Sequence, residues 1–157
     1  QPLRPEPCWT QHGTISGSVD TTWGTLGLPD PFSTGTGTWE DDVPWVPEVV
    51  KVGGRAGPNT DPQSGDMAAV QVFGLLPDET FGVAFFSFPQ SALAAGTALP
   101  LNLIGAVGYL MHFDPAIGEP TFLGYILDGT LEIEDGAPSD GAPVRATFDG
   151  ILMGPGG

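Results

Sequence analysis

The chain has 157 residues, a formal net charge of −15, 24 Gly and 17 Pro. With four basic residues in all, Arg4, Lys51, Arg55 and Arg145, it lacks the cationic footprint that releases counterions from nucleic acid or holds an anionic membrane surface. Gly and Pro approach the level of disordered segments, but apolar residues remain abundant enough for one core, and the length suits one domain of ordinary size.

Residues 1–10, with Pro2, Pro5 and Pro7, read as an extended arm ahead of a single domain over 11–157. Cys8 is the only cysteine, so no intrachain disulfide can form. It is left to an intermolecular bridge, a lipid anchor or an inert thiol. The preceding Leu3-Arg4-Pro5-Glu6-Pro7 is charged and lacks the small apolar residues of a lipoprotein processing site. The chain starts at Gln1 rather than Met, which fits a signal peptide already removed.

Residues 10–23 form the first strand region, with Ile15, Gly17 and Val19 on one face and Thr14, Ser16 and Ser18 on the other. Residues 24–38 read as a loop with a turn at Pro29-Asp30-Pro31. In 39–52, Pro44 and Pro47 confine the chain to an edge, while 49–52 can pair. Residues 53–66, poor in apolar side chains, read as an exposed loop.

Residues 67–75 and 80–88 make the best hairpin, joined by Leu76-Pro77-Asp78-Glu79. In its second strand Phe81, Val83 and Phe85 share one face, and Gly82, Ala84, Phe86 and Phe88 the other. A strand apolar on both faces is buried on both, or is covered by a partner. One helical turn fits 90–95, one or two strands fit 98–113, and another fits 121–127. In the C-terminal hairpin Leu131 and Ile133 point in, the turn runs over 135–142, and Val144, Ala146 and Phe148 point in again. Helical periodicity is nearly absent. The expected fold is all-β, an antiparallel two-layer β-sandwich of jelly-roll or Ig-like type, with roughly eight to ten short strands and almost no helix. No apolar run reaches the roughly 20 residues of a spanning helix, since 99–111 is broken by Pro100, Asn102, Gly105 and Gly108.

Ala95-Gly96-Thr97, Gly129-Thr130-Leu131-Glu132-Ile133 and Pro143-Val144-Arg145-Ala146-Thr147-Phe148-Asp149-Gly150 give residues 95–153 a pattern that resembles secreted or lipid-anchored bacterial β-sandwich domains of unsettled function. The resemblance implies an extracellular β-sandwich and brings no catalytic residue with it.

Nucleophilic catalysis finds no elbow motif: Gly13-Thr14-Ile15-Ser16-Gly17 has the wrong spacing. His12 and His112 are the two candidate bases, and a triad assembled in space needs no motif. One Cys and two His make poor zinc ligands, and no phosphate-cradling glycine loop occurs. Calcium suits the acidic composition better, because hard cations take several carboxylate and carbonyl oxygens. The candidates are Glu40, Asp41 and Asp42, and the group Glu134, Asp135 and Asp140, with Glu132 beside it. Trp9, Trp23, Trp39 and Trp45 serve either core packing or stacking on sugar rings.

Taken together, the residues lead to a non-enzymatic extracellular structural protein, a self-assembling filament or surface-layer subunit whose arm completes a neighbour's sheet by strand addition. The runner-up is a carbohydrate-binding module using the tryptophans and calcium. An unrecognised secreted hydrolase is third.

Overall fold

The computed structural model describes residues 9–24, 26, 30–43, 48–59, 66–102 and 104–155. Its strands, in chain order, are β1 (Trp9–Thr22), β2 (Thr36–Asp41), β3 (Lys51–Pro58), β4 (Met67–Leu75), β5 (Phe81–Pro89), β6 (Thr97–Pro100), β7 (Val107–Phe113), β8 (Pro120–Asp135) and β9 (Pro143–Pro155). Helical structure in named elements is limited to α1 (Pro31–Thr34) and a 3₁₀ turn at Gln90–Ala92. Asp30 caps α1 by accepting from the Phe32 amide at 3.0 Å.

The all-β, antiparallel expectation holds, and nine strands fall in the expected number. The two stacked sheets are not established. All nine strands belong to one sheet in the order β2-β1-β9-β8-β7-β5-β4-β3, with β6 on β8, curled into a nearly closed barrel. A parallel bridge between Trp23 and Ala56, supported by the Gly24 amide donating to the Ala56 carbonyl at 2.9 Å, ties the end of β1 to β3. Thr34 of α1 donates its hydroxyl to the Gly54 carbonyl at 3.1 Å, and Thr21 donates to the Thr34 carbonyl at 2.7 Å, so α1 straps the same seam.

Four sequence readings change. Residues 24–38, read as a loop, hold α1 and the start of β2. Residues 53–66 do not begin as a loop: β3 runs through Pro58, and Gly53, Gly54, Ala56 and Gly57 are buried. Glycine is required there because a Cβ on Gly54 would press into Val19, and one on Gly53 into Phe32 of α1. β8 is continuous where a strand at 121–127 and a separate hairpin strand were expected. Trp9 and Thr10, expected in the arm, already pair with Pro155 and Gly154 of β9; the rest of the arm, with Cys8, lies outside the described residues.

The core fills the barrel. Ile15, Val19, Val70, Phe86, Phe88, Leu110, Ile126, Leu131, Ile133, Val144, Phe148 and Leu152 form one buried cluster, contributed by every long strand through alternate residues. The inward residues of β1, β8 and β9 follow the expected alternation, and in β5 it is Ala84, Phe86 and Phe88 that enter the core. Burying aromatic and branched side chains of this size supplies the dominant folding term, about 1.5–3 kcal/mol for each fully buried one.

Candidate functional site

The tryptophans do not converge. Trp23 is buried at the seam and Trp39 lies on the inner face of β2 against the core. The Trp39 ring packs over Gly74 and Gly82, whose missing side chains make room for it, and its indole Nε1 donates to Asp41 Oδ2 at 2.8 Å. Trp9 is on the outside, 38% exposed, with its ring 5.7 Å from that of Tyr125. Trp45 lies outside the described residues. Sugar stacking by these residues as a set is therefore not assembled among the three described.

The acidic candidates form two separate places. Glu40, Asp41 and Asp42 line an open cleft with Trp39, Val43, Glu48 and Val49. Asp41 is occupied by Trp39 and by the Val43 amide at 3.2 Å. Asp42 Oδ1 accepts from the Thr14 amide and from the Thr14 hydroxyl. The amide bond chiefly holds the Asp42 carboxyl below its ordinary range. Far along the barrel, Glu134 and Arg145 flank a shallow groove, Asp135 is the register partner of Arg145, and Asp140 sits in the turn beside Gly24. Among the described residues no three His, Cys, Asp or Glu side chains gather as a metal-holding group.

His112 does meet a hydroxyl and a carboxylate. Its Nε2 is 2.9 Å from the Thr80 hydroxyl oxygen, and that hydroxyl donates to Asp78 Oδ1. A carboxylate only accepts, so the Thr80 proton points at Asp78 and the imidazole must donate to Thr80. A nucleophile relay needs the reverse order, with imidazole between hydroxyl and carboxylate and ready to take the proton. The chain of bonds instead ties the β4–β5 turn to β7. It also holds the Asp78 carboxyl below its ordinary range, chiefly through the Thr80 hydroxyl. His12 sits in the bulge of β1, beside Gly154.

The most conspicuous surface is aromatic. On the outer face of the barrel, the Phe81 ring lies 6.3 Å from that of Phe113 and 6.3 Å from that of Phe73, and Phe32 of α1 packs on Phe81 at 5.8 Å. A second row follows: Phe85 on Tyr109 at 5.0 Å, Tyr109 on Phe122 at 6.3 Å, Phe122 on Tyr125 at 5.1 Å, and Tyr125 on Trp9. Val83 and Met111 join the rows, as register partners between them. Cations stand at the β3 margin, Lys51 over the Phe32 ring at 5.5 Å and Arg55 over the Phe73 ring at 4.8 Å. β4, β5, β7 and β8 as far as Leu127 contain no Asp or Glu, in a chain with 19 of them.

Two bulges build the second row. Between Leu110 and Met111 the register of β8 slips by one, which places Phe122 and Tyr125 on one face. Between Gln11 and Gly13 the register of β1 slips likewise, so that Trp9 faces out although Ile15 faces in. Sequence reading had the signal for the first row, a β5 strand apolar on both faces, and none for the second. Compared with protein-family models, with curated proteins and with solved structures, the chain finds no match.

Proposed function

We propose that the chain is a non-enzymatic extracellular structural subunit that assembles with copies of itself, and that the aromatic outer face is where copies meet. That face carries the reading. Phe73 and Val83 are already buried and most of the other rings are partly so, but Phe122 and Trp9 stand open to solvent, and a run of partly exposed rings without a carboxylate is a surface whose burial stabilises an assembly. The likeness of residues 95–153 to secreted bacterial β-sandwich domains belongs to the same reading, as does the acidic surface, which salty extracellular water screens. Strand addition by residues 1–10 has weaker support than packing through the face. β2 and β3, the two ends of the sheet, bring Cα atoms within 8 Å of each other, less than the roughly 9.5 Å that an inserted strand needs between its two neighbours. Solution mass by light scattering, in salt that screens the net charge, tests the reading; a monomer across the whole accessible concentration range would end it.

The runner-up is carbohydrate binding, favoured by the exposed Trp9 ring beside the partly buried Tyr125. Against it, neighbouring rings are inclined to one another, 67° between Phe122 and Tyr125 and 46° between Tyr109 and Phe122. A flat row of sugars stacks on coplanar rings. Calcium at Glu40, Asp41 and Asp42, or at Glu134, Asp135 and Asp140, belongs to this second reading. A glycan array in the presence of calcium, with calorimetric titration of the ion, tests both, and loss of sugar binding in Trp9→Ala would transfer the conclusion to it.

A further inference from the structure

The charge distribution points to a specific form of that assembly: the aromatic face pairs with the same face of a second copy, as a closed dimer that electrolyte switches on. The inference rests on the self-assembly reading above and specifies its interface and control.

The first step is electrostatic. Asp20 on β1, Glu40 on β2, Asp149 on β9 and Asp128, Glu132, Glu134 and Asp135 on the second half of β8 put carboxylates on those parts of the barrel wall, whereas β3, which borders the aromatic face, carries Lys51 and Arg55 and no carboxylate. Pressing the aromatic face against any of these surfaces in a neighbour would bury carboxylates without partners, at several kcal/mol each. The stretch from β4 to Leu127 of β8, with β3 at its margin, is where two copies can meet without that penalty. Same-face contact is self-complementary, and such contacts close as two-fold dimers.

The second step sets the control. Two bodies of net charge −15 repel at long range, and that repulsion extends about 30 Å at 0.01 M salt but about 3 Å at 1 M. Apolar contact, in contrast, persists in salt. Four strands about 4.8 Å apart and seven-residue faces at about 3.3 Å per residue span roughly 20 by 23 Å. That is about 460 Å² a side, or about 920 Å² for the pair, short of the roughly 1,200 Å² of stable interfaces and within the weak, transient class, where screening decides between monomer and dimer. A basic protein partner would show the opposite salt response, since opposite charges attract less when screened.

The test is sedimentation equilibrium of the full chain from about 0.01 M to about 1 M NaCl, on the wild type and on Phe122→Glu, Phe122→Gln and Ile104→Glu. Phe122 is 43% exposed within the face, and Ile104, 96% exposed, lies on the β6–β7 connection. The expected result is a monomer at low salt, a dimer at high salt with an association constant at least tenfold larger, loss of the dimer in both Phe122 variants, and no change in Ile104→Glu. A dimer of equal strength at every salt overturns the electrolyte control and leaves self-assembly standing. Open-ended polymers overturn the same-face pairing and also leave it standing. A monomer in every condition overturns both. Capture of the monomer by phosphatidylcholine vesicles, lost in Phe122→Gln, overturns the second copy in favour of a lipid surface.

Discussion

Phe122 and Tyr125 stand three residues apart on one β-strand and nevertheless share its outer face, with ring centroids 5.1 Å apart. Residues separated by an odd number point to opposite faces of a regular strand. The slipped register of β8 opposite Leu110 and Met111 inserts one residue and restores the missing parity. A matching slip in β1 turns Trp9 outward to meet Tyr125. The aromatic surface therefore depends on two local irregularities.

The β1 bulge is tested at Gly13. Its φ is +155°, and a Cβ there would come 2.6 Å from Asp42 Oδ1 and 3.1 Å from Val43. Gly13→Ala should destabilise the protein by about 1–3 kcal/mol through strain and overpacking. The urea midpoint measures the loss, and near-ultraviolet circular dichroism should change as Trp9 leaves Tyr125. An unaltered midpoint would show that the bulge tolerates a side chain.

The core should be intolerant at Gly108. A Cβ there would lie 2.8 Å from two ring carbons of Phe86, which is fully buried and packs at a tilt against Phe148 with ring centroids 4.7 Å apart. Gly108→Ala should cost about 1–3 kcal/mol by overpacking, and Phe86→Ala about 3–5 kcal/mol by leaving a cavity. Thermal or urea unfolding of the two variants measures both.

Acid should weaken the fold through two carboxylates. Asp42, bonded to Thr14, and Asp78, bonded to Thr80, have folded pKa values below the ordinary Asp range. The folded state then binds these protons later than the unfolded chain does. The stability they contribute is complete above the ordinary Asp value, about 3.9, and drains as pH falls through it toward the lower folded values. Melting temperatures of wild type and Asp42→Ala should differ at neutral pH and converge as the pH falls through the ordinary Asp value and below it. Parallel curves would remove Asp42 from the account.

Alkali should report on the aromatic face. Burial, and then the neighbouring Tyr125, push the Tyr109 phenol above its ordinary value. Because the unfolded chain loses that proton first, stability falls as pH rises from about 10 toward the folded value. With two tyrosines in the chain, absorbance titration of Tyr125→Phe isolates Tyr109. Its midpoint should lie above that of free tyrosine, and an ordinary midpoint would mean that the phenol is open to water.

Much of the fold was legible because the relevant signals are local. Alternation in the strand carrying Ile15 and Val19, and around Leu131, Ile133, Val144 and Phe148, grouped the inward residues correctly, and the hairpin of 67–75 and 80–88 was placed without a choice between its two apolar faces. The strand β3 was illegible because Gly53, Gly54 and Gly57 carry no hydrophobic pattern; their smallness answers to Val19, Phe32 and Leu26, which come from other segments. Asp41 and Asp42 were visible as an acidic pair; Asp41 bonds its own neighbours Trp39 and Val43, but that Asp42 bonds Thr14 depends on β2 lying beside β1.

The order of residues by itself determined the strand class, the near absence of helix, the acidity and the two apolar faces of β5, since period-two alternation and composition require no knowledge of distant neighbours. Only the tertiary structure decided that the sheet curls on itself with Phe86 inside and Phe85 outside, and that Trp9, Phe122 and Tyr125 join one surface. The reason is that strand parity changes with a single inserted residue, and a ring has no partner until pairing across β9 brings β1 and β8 together.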